Sequence, residues 1–252
     1  MPKNPSLLSR LSNTPKGIAI LIDPEKAKNK DQFNQQLAAI EEIKPAFIFI
    51  GGSTVSKAEM NSAIERIKDR TQVPLILFPG GIAQINTAVD GILFLSLISG
   101  RNPTYLIGAH VEVAEQLYDA QIEVVSTGYI LVEGAVNSAV SRVSKTDPIP
   151  QHELAVISAT AKAGILLGMH CLYVDAGSGA KTPVSTEIIQ ELSGFGCPLI
   201  IGGGLTTIAA IKNAHEAGAN LVVIGNKLEE DPSFAKELAH YARCINAPLL
   251  DR

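Results

Sequence analysis

The sequence predicts an α/β fold, a modified TIM (βα)8 barrel in which parallel strands alternate with helices. Of its 252 residues, 46% are hydrophobic and 18% are charged, which is typical of folds whose parallel strands are buried on both faces. Eight short apolar runs alternate with longer helical patterns from Gly17 onward, as a barrel of this length requires. Gly-rich loops follow the last three runs, whereas a doubly wound open sheet usually carries its glycine fingerprint after the first strand.

Each predicted strand is short, apolar and closed by Gly, Pro, Ser or Asp. The strands span residues 18–22, 46–50, 75–78, 92–95, 122–125, 171–174, 199–201 and 221–224. The predicted helices span residues 31–43, 56–69, 104–119, 151–167, 185–192, 207–217 and 231–244. Ser56 and Glu59 have the spacing of a capping box at one helix start. Residues 1–252 are expected to form a single TIM-barrel domain, with residues 1–16 as an N-terminal extension.

Two segments depart from a regular barrel. Residues 79–90 are too few for a full helix, so we expect a shortened third βα unit that leaves a groove in the ring of helices. Residues 128–150 form a long insertion, polar in its second half. We expect the insertion to be an extended loop over the mouth of the barrel.

Composition argues against several functions. The formal net charge is −4 and Lys and Arg are not clustered, which gives no reason to expect nucleic-acid binding. The five histidines are scattered without zinc-site spacing. Cys171, Cys197 and Cys244 also lack metal-site spacing, so we expect buried thiols in a reducing cytoplasm. No uninterrupted apolar run approaches about 18 residues, so we expect any membrane contact to be peripheral.

Three strand ends predict a phosphate site. The sixth strand presents Asp175 and then the small residues Ala176, Gly177, Ser178, Gly179 and Ala180. The seventh strand runs into residues 202–204, which are all glycine, and the eighth into residues 225–226, which are Gly and Asn. Loops with few side chains let main-chain N–H groups approach an anion closely. One such loop is weak support, but three at neighbouring strand ends predict a site.

Asp23 ends the first strand and is therefore expected at the catalytic rim of the barrel. There it could be a Mg²⁺ ligand, a general base or simply an N-cap. Ser53 follows the second strand and would lie beside Asp23, and a pair of oxygen ligands suits the sparse protein coordination of Mg²⁺. The alternative for the Ser53 segment is a tight turn and N-cap.

Tyr173 and Asp175 are two residues apart on the sixth strand and should point the same way. They either hold the polyol part of a phosphorylated ligand or serve in packing (Tyr173) and turn capping (Asp175). Lys181 and Lys227 lie next to the phosphate loops, where each either supplies positive charge or is a surface lysine.

Short motifs in a fixed order connect the chain to a known family. They are Ile22-Asp23-Pro24-Glu25-Lys26, Gly51-Gly52-Ser53, Leu77-Phe78-Pro79-Gly80, residues 95–103 (LSLISGRNP), Gly128-Tyr129-Ile130, residues 173–180 (YVDAGSGA), Gly202-Gly203-Gly204 and Gly225-Asn226. In this combination the chain resembles the geranylgeranylglyceryl phosphate synthases and their heptaprenylglyceryl phosphate relatives, over residues 17–226.

The resemblance implies a Mg²⁺-dependent prenyltransferase that joins sn-glycerol 1-phosphate to a polyprenyl diphosphate, with geranylgeranyl diphosphate as the expected donor. It implies a metal site at Asp23 and Ser53, catalytic roles for Asp175 and Tyr173, a groove for the prenyl chain, and a homo-oligomer. The implied substrate-binding residues are Tyr173, Val174, Asp175, Ala176, Gly177, Ser178, Gly179, Gly203, Gly204, Gly225 and Asn226.

This chain departs from the family pattern in two places. Asp175 stands where the family usually has Glu, one methylene longer, which weakens the case for direct base catalysis. The family's lysine shortly before the first Asp is absent, and Lys26 is a candidate to compensate.

Two other functions remain open from the residues alone. An isomerase or aldolase could use the same phosphate loops, but it would need a Schiff-base lysine or an acid–base pair, and neither stands out. A non-catalytic phospholigand-binding barrel is favoured only by the Glu-to-Asp change. Prenyl length would depend on bulk deep in the groove, for which Phe94, Tyr105 and Tyr118 are candidates.

Overall fold

The computed structural model describes residues 5–25, 29–52, 55–120 and 122–246, and its strands form a closed parallel barrel. The strands are β1 (Gly17–Ile22), β2 (Phe47–Ile50), β3 (Leu75–Leu77), β4 (Gly91–Leu97), β5 (Glu123–Leu131), β6 (Cys171–Asp175), β7 (Leu199–Gly202) and β8 (Leu221–Ile224). Each strand pairs with the next, and β8 pairs with β1 to close the ring. The predicted TIM-barrel fold is confirmed.

The helices of the described residues form the outer ring and the caps. They are α1 (Leu7–Ser12), α2 (Lys30–Ile43), α3 (Lys57–Lys68), α4 (Ala109–Asp119), α5 (Ala139–Ser144), α6 (Leu154–Leu166), α7 (Thr186–Ser193), α8 (Ile208–Glu216), α9 (Asn226–Glu230) and α10 (Phe234–Asn246). The capping box at α3 is present, because Ser56 and Glu59 exchange hydrogen bonds. A π-helical turn, Thr104–Gly108, leads into α4. None of these helices is both long and apolar enough to cross a membrane.

The third βα unit is shortened, as predicted. Between β3 and β4 the chain makes only one 3₁₀ turn, Ile82–Gln84. A full outer helix is therefore missing on this side, where Ile92 and Phe94 of β4 line a small opening.

The predicted insertion is only partly a loop. Its first residues extend β5, because Tyr129 pairs with Leu97 of β4 and Leu131 pairs with Asp175 of β6. Further along, α5 begins after the N-cap Ser138, whose hydroxyl accepts a hydrogen bond from Ser141 N. The expectation of an extended loop over residues 128–150 was therefore wrong for the strand and the helix.

Side chains alternate between two buried layers, as the period of a strand requires. Phe49, Tyr129 and Tyr173 point into the barrel. Ile22 and Val174 point outward and pack against the helices. The inward layer forms the floor beneath the mouth of the barrel.

Helix α1 closes the amino-terminal end of the barrel. Leu7 and Leu11 are buried and pack with the inward-facing side chains. The Glu123 carboxylate at the start of β5 accepts hydrogen bonds from Leu7 N and, at 2.9 Å, from Leu8 N. This carboxylate satisfies N–H groups that the first turn of a helix otherwise leaves without a partner. Residues 7–12 thus plug the bottom of the barrel.

Candidate functional site

A cavity of about 340 Å³ opens at the carboxyl ends of the strands, and most of the predicted site residues line it. Those that line it are Asp23, Tyr173, Asp175, Ser178, Gly179, Gly203, Gly204, Gly225 and Asn226. The Val174 side chain lies instead between the sheet and the helices, with Ala176 beside that layer. Gly177 contributes through its main chain, as described below. Ser53 lies outside the described residues, as does Lys26.

Asp175 is the buried carboxylate of this cavity. Its Oδ1 accepts a hydrogen bond from Gly177 N at 2.8 Å, and its Oδ2 accepts one from the Tyr129 hydroxyl. Burial raises the pKa of Asp175, and the hydrogen bonds from Tyr129 and Gly177 oppose that rise. The carboxylate is therefore fixed in one orientation at the end of β6.

Aromatic rings form the floor around Asp175. The Tyr173 ring lies 5.2 Å from the Tyr129 ring, nearly parallel to it, and 5.0 Å from the Phe78 ring. Burial raises the pKa of both tyrosines well above the ordinary value, so both hydroxyls are protonated at neutral pH. Tyr173 thus faces the interior just below the glycine-rich loops that follow β6 and β7.

The loops after β6 and β7 approach each other more closely than side chains would allow. Gly203 has a φ of +80°, and a Cβ there would lie 2.7 Å from both Asp175 Oδ1 and Gly177 N. On the same rim, Asn226 Nδ2 donates to Ser178 Oγ at 3.2 Å, which ties the β6 loop to the start of α9. The result is a rim made largely of main-chain atoms, which suits an anion.

Asp23 lies where the first two strands end. Its Oδ1 accepts a hydrogen bond from Glu25 N at 3.0 Å, and a Cβ on Gly52 would lie only 2.5 Å from the same oxygen. The main chain just before Ser53 therefore passes beside this carboxylate. Among the described residues no group of three or more His, Cys, Asp or Glu side chains could hold a metal. A single carboxylate in an open cavity fits Mg²⁺, which keeps most of its ligands from water and phosphate.

Gln84 of the 3₁₀ turn organises this corner of the rim, and sequence reasoning missed it. Its side chain is buried, its Nε2 donates to Gly52 O at 2.5 Å, and its Oε1 accepts from Gly80 N at 3.0 Å. Gln84 thereby fixes the loops after β2 and β3 beside Asp23. Both partners are main-chain atoms, so no residue type in the sequence signalled the contact.

Tyr129 was also missed as a site residue, although it lies in a motif noted above. The period-two pattern of Val125, Thr127 and Tyr129 was a usable signal, because it continues the strand past its predicted end. Of the two flanking lysines, Lys227 lines the cavity and its Nζ contacts Asp231 Oδ2 at 2.9 Å. Lys181 is exposed and does not line it.

An apolar groove continues from this cavity toward the shortened third unit. Its first part, about 120 Å³, is lined by Leu95, Tyr105 and Val143 among others. Its second part, about 70 Å³, reaches Phe94 and His110, whose rings meet edge to face at 4.4 Å. The predicted groove is present.

Two of the three candidate length-setting residues, Phe94 and Tyr105, line the groove. Tyr118 is 91% exposed and lies elsewhere, because it is on the outer face of α4. That expectation was wrong.

Comparison with known proteins identifies the family. The model of the PcrB family matches residues 15–242. The chain is 46% identical to geranylgeranylglyceryl phosphate synthase of Zunongwangia profunda, over 91% of this chain and 98% of that protein. It is 44% identical to the synthase of the same name from Flavobacterium johnsoniae, over 90% and 94%.

A solved structure agrees. The fold superposes with a TM-score of 0.87 on (S)-3-O-geranylgeranylglyceryl phosphate synthase of Thermoplasma acidophilum, solved in complex with its substrate sn-glycerol-1-phosphate. That protein is 28% identical, and the match covers 96% of this chain and 98% of that one. The chain therefore belongs to the PcrB family, as a prenyltransferase of the kind that its named relatives are.

Proposed function

We propose that this enzyme forms an ether between a hydroxyl of sn-glycerol 1-phosphate and a polyprenyl diphosphate, with geranylgeranyl diphosphate as the expected donor, and releases diphosphate. One observation carries the proposal. A polar cavity rimmed by glycine loops and an apolar groove open on the same edge of the barrel and share Phe78 and Tyr129 as lining residues. A phosphorylated triol suits the first space and a prenyl chain the second.

The main-chain rim would hold the phosphate of the triol. Ser178, Gly204 and Asn226 all line the cavity, and the side-chain hydrogen bond from Asn226 to Ser178 brings two of these loops together. From there the hydroxyls would extend over Tyr173 toward Asp175. The glycines of these loops leave room for close contact between the main chain and the anion.

Asp175 would orient the attacking hydroxyl and accept its proton. An alcohol is a poor nucleophile, so holding it against the allylic carbon is a large part of catalysis. Burial raises the pKa of Asp175 and makes it a stronger base than an exposed aspartate. The shorter side chain, compared with the family's Glu, is held by Tyr129 and Gly177.

Asp23 and Ser53 would hold Mg²⁺ at the opposite side of the cavity. Gln84 would support this site by holding the main chain of Gly52, the residue before Ser53. Bound there, the ion would neutralise the charge that develops on the departing diphosphate. Asp23 would thus stand across the cavity from the glycerol phosphate loops.

We also place the enzyme in the cytoplasm, as a homo-oligomer that contacts membranes peripherally. The free thiols of Cys171, Cys197 and Cys244 suit a reducing compartment. Exposed apolar side chains on the outer faces of α4 and α6, including Val111 and Leu166, support a contact between copies. Light scattering of the wild type and of Val111→Glu would test the assembly, which should dissociate in the variant.

The direct test is label transfer. Radiolabelled sn-glycerol 1-phosphate is incubated with geranylgeranyl diphosphate, with Mg²⁺ or with a chelator, and the organic phase is counted. We expect label in the organic phase only when Mg²⁺ and both substrates are present. Product masses with a series of prenyl diphosphates would give the preferred chain length. Tight binding of glycerol phosphate without diphosphate release would instead indicate a non-catalytic barrel.

A further inference from the structure

The boundary between the polar cavity and the apolar groove has an unusual composition. Five residues line both spaces, namely Phe78, Gly80, Tyr129, Ala139 and Val140. Apart from main-chain atoms and the Tyr129 hydroxyl, which donates to Asp175, they present only carbon to the junction. The boundary is therefore made of two aromatic rings, one bare stretch of main chain and two small aliphatic side chains.

Phe78 is the exposed edge of a larger aromatic stack. Its ring lies nearly parallel to the Phe49 ring at 6.2 Å and close to the Tyr173 ring at 5.0 Å, while Tyr129 and Tyr173 stack at 5.2 Å. The two tyrosines are buried and Phe78 is half-buried. The stack therefore holds Phe78 firmly and leaves part of its ring open to the junction.

The reacting carbon must lie at this junction if the proposed function is correct. The diphosphate belongs in the polar cavity and the hydrocarbon in the groove, so the bond between them spans the boundary. When the allylic C1–O bond breaks, its electron pair leaves with the diphosphate, and positive charge develops on the allyl group. A lone pair of the glycerol hydroxyl then forms the new C–O bond, and the hydroxyl proton passes to the Asp175 carboxylate.

We propose that the rings of Phe78 and Tyr129 stabilise the allylic cation through their π faces, and that Phe78 is a catalytic residue of the reaction. A cation over an aromatic face is attracted by the negative charge of that face, most strongly where water is excluded. Ala139 and Val140 of α5 line the junction with small aliphatic side chains, which would help to keep water from the cation. Water there would convert the cation to a prenyl alcohol.

The test weakens the π face of Phe78 in steps without changing its shape. Mono-, di- and trifluorophenylalanine are incorporated at position 78, and single-turnover rates are measured with saturating substrates. Each fluorine withdraws electron density from the ring. We expect the rate to fall progressively, by roughly tenfold or more over the series, while the KM for the prenyl donor stays constant.

Phe49 provides the matched control. Its ring stacks against Phe78 but lines neither the cavity nor the groove, so the same fluorinated series at position 49 should leave the rate unchanged. Phe78→Leu is a second variant, which retains apolar bulk but has no π face. It should lower turnover by a similar factor, keep the melting temperature close to wild type and increase the share of prenyl alcohol among the products.

The outcomes separate this inference from the proposed function. Ether formation by the wild type, together with a flat fluorine series at position 78, would overturn the role of the rings alone. Equal slopes at positions 49 and 78 would also overturn it, because they would indicate a packing effect. A wild-type enzyme that forms no ether would overturn both proposals.

Discussion

The two ends of this barrel use the same kind of group for different purposes. At the bottom, the Glu123 carboxylate accepts hydrogen bonds from Leu7 N and Leu8 N, and α1 covers it. At the mouth, the Asp175 carboxylate also accepts two hydrogen bonds, from Gly177 N and the Tyr129 hydroxyl, but it lines an open cavity. The difference teaches that the surroundings of a carboxylate, rather than its number of partners, separate a structural role from a chemical one.

The largest expected effect lies at the mouth. Asp23→Ala should lower Mg²⁺-dependent turnover by roughly a thousandfold, because removing charge stabilisation at the departing diphosphate costs several kcal/mol. The melting temperature should stay near that of the wild type. Steady-state kinetics and thermal unfolding of the same preparation check both parts, and wild-type-like turnover would remove Asp23 from the metal site.

The next largest effect concerns stability at the bottom of the barrel, where His215 is buried. His215 Nε2 donates to Gly17 O at 2.9 Å, and in the neutral ring Nδ1 accepts from the Tyr241 hydroxyl at 2.8 Å. Burial lowers the pKa of His215 to about 4, against about 6.5 in an unfolded chain. The stability that the neutral ring contributes is present above pH 6.5 and is lost as the pH falls toward 4.

The lowered pKa of His215 changes the free energy of unfolding by at most about 3 kcal/mol over this pH range. Denaturant unfolding at a series of pH values should show it, and His215→Gln should flatten that dependence. His152, which is exposed just before α6, provides the control variant His152→Gln. Equal pH dependence in wild type and His215→Gln would contradict the assignment.

Gln84→Leu should weaken Mg²⁺ binding at the mouth without removing a group that is proposed to react. The variant loses the hydrogen bonds to Gly52 O and Gly80 N, so the loop that carries Ser53 should shift away from Asp23. Groups that orient metal ligands typically change affinity by tenfold or more. We expect the Mg²⁺ concentration for half-maximal activity to rise about tenfold. Mn²⁺ binding followed by electron paramagnetic resonance provides a reading that does not depend on turnover.

Glu123→Ala should lower the stability of the protein at the bottom of the barrel and leave turnover unchanged. The variant removes the acceptor of two N–H groups in the first turn of α1, a loss that typically costs about 1 kcal/mol. Chemical denaturation should show this decrease, while turnover of the folded enzyme stays at the wild-type level. A loss of turnover without a loss of stability would mean that the two ends are coupled.

The smallest effect should come from Tyr129→Phe. The change keeps the ring but removes the hydroxyl that lowers the pKa of Asp175. That pKa should rise further, so the acid limb of the pH profile should move to higher pH. The pH profile of the single-turnover rate constant measures this shift, and an unchanged limb would exclude Asp175 as the titrating base.

Much of the mouth was predictable because its signals are local. The alternation of Tyr173 and Asp175 and the glycines after three strands follow from strand period and loop chemistry. Contacts between distant segments were not predictable in the same way. Glu123 contacts α1, which is more than a hundred residues away in the sequence. Strand β5 continues past its polar middle because the buried Thr127 hydroxyl donates a hydrogen bond to Val125 O at 2.9 Å. Neighbouring strands, which single-sequence patterns do not report, decide such cases.

In the proposed reaction, the missing outer helix beside the 3₁₀ turn would give the two substrates separate entrances. A water-soluble triol phosphate can descend through the open mouth, while a hydrocarbon chain can slide in from the flank without crossing that polar opening. The proposed lipid product would carry both ends at once, with its tail directed out through the flank. Departure tail-first would hand the new lipid to a bilayer resting against that side.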